Sequence, residues 1–407
     1  MHGSLAPEGV RTPAPAVLAD GEDALARARA LLPAISALAV RADAERKIPQ
    51  ETIDALLASG LFGIVTPKAL GGSELGFADL VRVTAELASA CGSTGWVYGV
   101  LAGHSWLLNL FPERAQHEVF DNPTALTATV FRLAAETTEE DGGHRLRNGD
   151  GRFCSGVDFA DWVIVGSAVK KANGETEPRF FVVPKSDVRI IDDWHTVGMR
   201  GTGSRSIRID DAFIPAHRSC SLKQMLAGDS PGAKLHDRAI YRMPFADIAP
   251  FSIIGAPLGM GMAAVRAFAD RLNRELGEAE PLQIAERSTG LARLAQASAE
   301  IDAAFALVVA DAARLDGARD PAELALDRTK FPRDWAFAAQ TVRYASTRLF
   351  EAFGGSAVYQ QSPEQRIWRD VNAAAQHFAF TWDSAMTAYG RAAAKLPPSA
   401  QPLLRTR

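Results

Sequence analysis

Residues 151–206 constrain the fold more than any other stretch of this chain. They open with Gly-Arg-Phe-Cys-Ser-Gly-Val-Asp-Phe-Ala-Asp-Trp-Val-Ile-Val-Gly and pass through Phe-Phe-Val-Val-Pro. They close on Asp-Asp-Trp-His-Thr-Val-Gly-Met-Arg-Gly-Thr-Gly-Ser. Apolar β-formers alternate here with Gly and Asp punctuation, the pattern of short paired strands. The flanking sequence carries helical periodicity instead. A small sheet set between two helical blocks must bury its faces against them, and clefts between such blocks are where ligands are usually held.

The helical blocks can be traced in order. Residues 22–47 are rich in Ala and Leu, with arginines recurring on one side, as in an amphipathic helix. Pro49 opens a second helix over 50–59, and Gly60-Leu61-Phe62-Gly63 ends it. A Gly-rich turn spans 67–76, and two further helices are expected over 77–90 and 94–111, split by Cys91-Gly92-Ser93. Beyond Pro123 the period changes to two and strands run to about Arg218, with hairpin signals at Gly142-Gly143, Asn148-Gly149 and Asn173-Gly174. A polar linker covers 226–237. Helices are then expected over 246–274, 281–316, 321–353 and 364–395, punctuated by Pro281, Pro321, Pro363 and Pro397-Pro398. The reading is α+β, mainly α. Residues 1–20 form a disordered start, 21–123 an N-terminal helical domain, 124–223 a middle β domain, and 224–407 a C-terminal four-helix bundle.

Composition narrows the function classes. Lys and Arg number 44 against 48 Asp and Glu, a formal charge of −4, so no basic footprint for nucleic acid is expected. The most apolar window, 251–265, is short for a bilayer span, and the first 17 residues lack the basic and apolar regions of a signal peptide. Three cysteines, Cys91, Cys154 and Cys220, show no paired spacing, which points to a reducing cytoplasm. The eight histidines are scattered, and no metal site is expected. Gly259-Met260-Gly261-Met262-Ala263-Ala264, with Glu280 downstream, imitates a dinucleotide fingerprint. It lacks the strand and βαβ unit that such a fingerprint requires. Small residues at a close helix contact account for it, and the chain is expected to carry no NAD(P)H site of its own.

Four short motifs in sequence order resemble the acyl-CoA dehydrogenase fold: Gly60-Leu61-Phe62-Gly63 with Pro67 and Gly71-Gly72; Gly198-Met199-Arg200-Gly201-Thr202-Gly203-Ser204; Phe353-Gly354-Gly355; and Arg369-Asp370. Within that superfamily the chain is similar to the oxygenase components of two-component flavin monooxygenases, such as those acting on 4-hydroxyphenylacetate and hydroxylated steroids. Gly95-Trp96-Val97, His104-Ser105, Cys154-Ser155-Gly156-Val157-Asp158 and Ala375-Gln376-His377 carry this likeness. Acyl-CoA dehydrogenases need a carboxylate base, in their commonest members within this last helical region. Here residues 371–382 offer His377 and no acid before Asp383.

The resemblance implies a reaction and a set of roles. Reduced FMN or FAD arrives from a separate NAD(P)H:flavin reductase, O2 adds at flavin C4a, and the distal oxygen passes to a small aromatic substrate. Ser155 takes the place whose hydroxyl meets flavin N5; on residue type alone it reads as a serine closing a strand turn before Gly156. His377 exchanges a proton near the flavin, as suits a group titrating near neutrality. Trp96 and His104, eight residues apart and near one helix face, face the substrate with His377. Phe153 and Cys154 line the flavin through backbone groups. Gly354, Gly355 and Ser356 admit a flavin tail, across a subunit boundary in a homotetramer built on the C-terminal helices. In Thr127-Ala128-Thr129-Val130-Phe131 this sequence departs from the small hydroxyl residues usual after the first middle strand. Val130 and Phe131 therefore make an apolar substrate wall suited to a bulkier ring. Trp162 and Trp194 pack the sheet. Arg200 and Arg205 either bind phosphate or pair with Asp210 and Asp211. N- or S-oxygenation on the same fold, acyl-CoA dehydrogenation, and a silent flavin-binding scaffold are the alternatives.

Overall fold

A computed structural model describes residues 16–171, 173–276 and 288–398. Among the described residues five α-helices come first: α1 (Gly21–Glu45), α2 (Gln50–Ala58), α3 (Phe77–Ala88), α4 (Gly92–Leu108) and α5 (Glu113–Phe120). Asp20 starts α1 by accepting the Asp23 N–H at 2.9 Å, which satisfies one of the free donors at a helix start. Every residue of α4 is buried, as expected of a helix apolar all round. It is the central strut, and it carries Trp96 and His104 inward.

Eight strands follow: β1 (Thr127–Val130), β2 (Leu133–Glu140), β3 (Gly143–Cys154), β4 (Trp162–Lys170), β5 (Thr176–Pro184), β6 (Arg189–Ile191), β7 (Arg205–Pro215) and β8 (Ser219–Ser221). They form one sheet in the order β6-β7-β3-β2-β4-β5-β8, with β1 running parallel to β4 off that path. Gly142 and Gly143 turn β2 into β3, and Asn173 with Gly174 turns β4 into β5. Asn148-Gly149 does not make a hairpin. Asn148 lies inside β3 at φ 51°, where the pairing with β2 slips between Ala134 and Glu136. The left-handed residue makes a bulge that bends the strand instead of reversing it.

The C-terminal block contains the short α6 (Leu222–Ala227), then α7 (Phe251–Leu276), α8 (Ser288–Gly317), α9 (Asp327–Phe353), α10 (Pro363–Ala374) and α11 (Trp382–Ala393). By length and composition α7 suffices to cross a membrane, although its most apolar window alone is shorter. It packs instead among α3, α4, α8 and α9. A Cβ on Gly259 would sit 2.0 Å from the Ala85 carbonyl oxygen of α3, so the apparent dinucleotide motif is a helix crossing. Glu280 and Pro281 lie outside the described residues. The expected helix over 364–395 is two helices. It breaks at 375–381, where His377 Nδ1 accepts the Ala379 N–H at 3.3 Å and Thr381 Oγ1 donates to the Phe378 carbonyl at 2.7 Å. Side chains that bond nearby backbone compete with the helical ladder.

Candidate active site

Trp96, Ser155 and His377 come together although they lie in three separate stretches of the chain. Trp96 Nε1 donates to Ser155 Oγ at 3.3 Å. The Trp96 and His377 rings meet edge to face, with centroids 5.4 Å apart. An indole on α4, a hydroxyl at the end of β3 and an imidazole at the break before α11 thus form one wall.

The polar half of this wall is set by the end of β3. Pairing with β7 slips between Gly151 and Cys154, and Phe153 adopts φ 64°. The strand turns out of the sheet there, leaving Phe153 69% exposed with its ring edge on Trp194 at 6.0 Å. Cys154 is fully buried and burial pushes its thiol pKa up, so its side chain is an inert filler. Ser155 Oγ lies 2.7 Å from Ser204 Oγ, which lies 2.7 Å from Thr202 Oγ1. Thr202 Oγ1 in turn donates to the Met199 carbonyl at 2.8 Å.

The loop carrying those hydroxyls is tied to the bundle. Met199, at φ 54°, donates its N–H to Asp370 Oδ1 at 2.6 Å. Arg369 donates to the Val197 carbonyl at 2.6 Å and to Asp43 Oδ2 at 3.0 Å. Burial raises the Asp370 carboxyl to about 6, against the pull of the Met199 N–H. Trp194 Nε1 also donates to the Met199 carbonyl, at 3.0 Å. It supports this loop as well as packing on the sheet, while Trp162 lies beneath the Arg218 guanidinium.

The other half of the wall is aromatic. His377 and Phe378 have ring centroids 4.4 Å apart, Phe378 meets Phe131 at 6.1 Å, and Phe131 meets Phe245 at 6.0 Å. Phe180 closes on Phe245 at 5.7 Å. Desolvation lowers the His377 pKa to about 4, so the imidazole is neutral at physiological pH. No described partner of His377 is acidic, and Asp383 is exposed.

His104 lies two turns farther along α4, with Nδ1 2.9 Å from the Thr127 carbonyl of β1. Its pKa also falls to about 4, through burial that outweighs this hydrogen bond. Thr129 follows on the same side of β1, and its hydroxyl is buried with no partner among the described residues.

Several expected site residues are placed elsewhere. Val130 is buried within the sheet, where a Cβ on Gly151 would meet its Cγ1 at 2.7 Å. It packs β1 on β3, leaving Phe131 as the member of the pair that reaches the aromatic cluster. Gly354, Gly355 and Ser356 do not join Ser155. They form the exposed turn after α9, with Gly354 at φ 69°. Arg271 donates to Ser356 Oγ at 3.2 Å, and a surface cavity of about 470 Å³ there is also lined by Arg274, Tyr359 and Glu364. Arg205 pairs with Asp158 at 3.2 Å and Asp192 at 2.9 Å, not with Asp210 or Asp211. Arg200 donates to the Asp43 carbonyl at 3.1 Å. Among the described residues no cluster of three or more His, Cys, Asp or Glu is arranged to hold a metal ion.

Sequence reasoning missed Thr202, Ser204, Thr129, Phe245 and Phe378 as site residues. Thr202 and Ser204 lie inside the Gly198–Ser204 motif, whose glycines signal a turn while its hydroxyls carry no signal of their own. Phe378 adjoins His377, but only a break in the helix turns both rings toward Trp96 and Phe131.

Residues 25–123 match the acyl-CoA dehydrogenase N-terminal domain, and residues 252–382 match the acyl-CoA dehydrogenase C-terminal domain. The chain is similar to the FADH(2)-dependent resorcinol hydroxylase, oxygenase component, of Rhizobium sp. (strain MTP-10005). They share 35% identity over 88% of this chain and 90% of the relative. Among solved structures, the HsaA monooxygenase from M. tuberculosis superposes with a TM-score of 0.85 at 32% identity, over 93% of this chain and 99% of that one. XiaF from Streptomyces sp., in complex with FADH2 and glycerol, gives a TM-score of 0.83 at 28% identity, over 94% and 98%.

Proposed function

The chain belongs to the oxygenase components of two-component flavin-dependent monooxygenases, and from that membership we propose that it hydroxylates a phenol carrying a bulky apolar ring. One observation carries the reading: an imidazole, with no carboxylate among its described partners, shares a wall with Trp96 and Ser155. A dehydrogenase of acyl thioesters needs a carboxylate base there, whereas this neutral imidazole, with Nδ1 taken by the Ala379 N–H, offers a hydrogen-bond donor at Nε2.

The residues present fit a flavin. Exposed Phe153 and Phe378 offer apolar faces, and Ser155 retains an unused lone pair after its contacts to Trp96 and Ser204. Reduced flavin supplies the electrons that activate O2, as cofactors generally supply the difficult chemistry. The chain's own part is to position and dry the site. Ser155 and Trp96 hold the ring edge, His377 holds a proton at Nε2, and the cluster of Phe131, Phe180, Phe245 and Phe378 excludes water. His104 and Thr129 take the substrate hydroxyl, a reading supported by the unpartnered Thr129 Oγ1.

The electrons come from a separate reductase. FAD is the preferred form on this reading, supported by the relatives named for FADH2. The turn at Gly354–Ser356 with Arg271 and Arg274 suits the phosphates of a flavin tail from a second copy, which goes with a homotetramer. Three buried, unpaired cysteines fit a cytoplasmic location.

The test is turnover of chemically reduced FAD under air with resorcinol and with ring-substituted phenols, reading product and hydrogen peroxide together. Hydroxylated product is expected, with larger apolar phenols favoured. Ser155→Ala and His377→Ala each raise the peroxide released per product. Dye reduction driven by an acyl-CoA, with no phenol hydroxylation, would overturn the reading.

A further inference from the structure

The row of hydroxyls behind Ser155 ends on an acceptor, and that end decides where each proton points. A carbonyl has no proton to give, so Thr202 donates to the Met199 oxygen. The single Thr202 proton is then committed, and the 2.7 Å contact to Ser204 must use a proton from Ser204. By the same step Ser155 donates to Ser204. At the near end, the Trp96 indole can only donate, and it occupies one lone pair of Ser155. The hydroxyl of Ser155 is left with one lone pair and no proton to offer. Reversing the row would break the Thr202 bond to Met199, a penalty of roughly two- to tenfold in population for one hydrogen bond.

We propose that Ser204 and Thr202 are positioning residues that lock Ser155 as an acceptor, so that the site selects reduced over oxidised flavin. This rests on the flavin reading of the site above. Reduced flavin carries N5–H, which meets the free lone pair. Oxidised flavin presents a bare N5 lone pair, so acceptor would face acceptor, and selectivity arises from this mismatch as much as from the match. The consequence is directional: the chain captures what a reductase delivers and releases the ring once it is oxidised.

The experiment is anaerobic equilibrium ultrafiltration of the full chain with oxidised and dithionite-reduced FAD, repeated with FMN. Wild type is expected to bind the reduced form roughly two- to tenfold more tightly, because oxidised flavin can be met only by reversing the row at the cost of one hydrogen bond. Ser204→Ala releases the Ser155 proton to point at the ligand. Its ratio should fall severalfold, because oxidised flavin binds more tightly. Ser204→Thr keeps an acceptor in place and should retain the wild-type ratio. Thr202→Val frees the Ser204 proton and should move the ratio the same way by less, which also serves if Ser204→Ala does not fold. Wild-type ratios in both Ser204→Ala and Thr202→Val would overturn the proposal while leaving the flavin reading intact. Equal loss of both redox forms would overturn it too, by making the row merely structural. Failure of wild type to bind either form would refute the flavin reading itself.

Discussion

Two histidines of this site share a depressed pKa of about 4 and differ in everything that sets their chemistry. His104 sits on α4 beside a backbone carbonyl, and a carbonyl can only accept. Its proton therefore resides on Nδ1, and Nε2 carries a lone pair. His377 sits at a helix break beside a backbone amide, which can only donate. Its Nδ1 is the lone pair, and its proton resides on Nε2. Burial has made both neutral, and one backbone neighbour leaves Nε2 of His104 a proton acceptor and Nε2 of His377 a hydrogen-bond donor. Residue type and pKa direction do not separate the two roles; the local partner does.

The largest expected effect comes from removing the base. His104→Ala should lower kcat/KM for a phenol by roughly 10²–10⁴-fold, the range of a positioned general base. The loss should shrink as pH rises toward the phenol's own pKa of about 10, because the substrate then ionises unaided. A pH-independent loss in a kinetic profile would make His104 a packing residue and erase the contrast. His377→Ala should show no such recovery at high pH, since it removes a hydrogen-bond donor.

Acid stability sharpens the same comparison. A histidine whose folded pKa is pushed from 6.5 to about 4 leaves the folded chain with fewer protons than the unfolded chain between those values. Its contribution is complete above pH 6.5 and is lost as pH falls toward 4, by up to about 1.4 kcal/mol per pH unit for each histidine. Asp370 and Asp311, both raised to about 6 by burial, work in the opposite direction over the same window. The wild-type profile is therefore shallow, and the histidine effect is visible only by difference. His104→Gln and His377→Gln should each lose less stability than wild type on going from pH 6.5 to 4.5, measured by urea unfolding. His377 is the more exposed of the two, so its variant should deviate less. Parallel profiles for wild type and both variants would show that neither ring is desolvated.

The fold and half of the site were legible in the sequence because both rest on local chemistry. The period-two stretch, the Gly142 and Asn173 turns and the long amphipathic segments each signal their own structure. Trp96, Ser155 and His377 were readable from short motifs in a fixed order. What escaped were features decided by a distant partner. Asn148-Gly149 has the composition of a hairpin turn, and only its register against Ala134 and Glu136 makes it a bulge. Residues 364–395 have helical composition, and only the side-chain bonds of His377 and Thr381 break them. Val130 and Phe131 are both apolar, and only Gly151, by leaving space over β3, turns one into the sheet. Ser204 became a site residue through Thr202 and Ser155, which no single-residue reading can supply.

The smallest expected effect tests where the two histidines hand over to the substrate. Thr129 lies between Thr127, which fixes the His104 tautomer, and Phe131, which joins the ring cluster of His377. Its buried hydroxyl has no partner among the described residues, and buried polar groups normally have one. A substrate hydroxyl satisfies it. Thr129→Val keeps the branched shape and removes only that capacity, so KM for a phenol should rise by roughly two- to tenfold with kcat nearly unchanged. The same variant should not alter KM for the matching arene that lacks the hydroxyl, which has no oxygen for Thr129 to hold. If instead Thr129→Val stabilises the chain and leaves KM untouched for both, the orphaned hydroxyl is an uncompensated burial. The substrate oxygen would then be held by His104 alone.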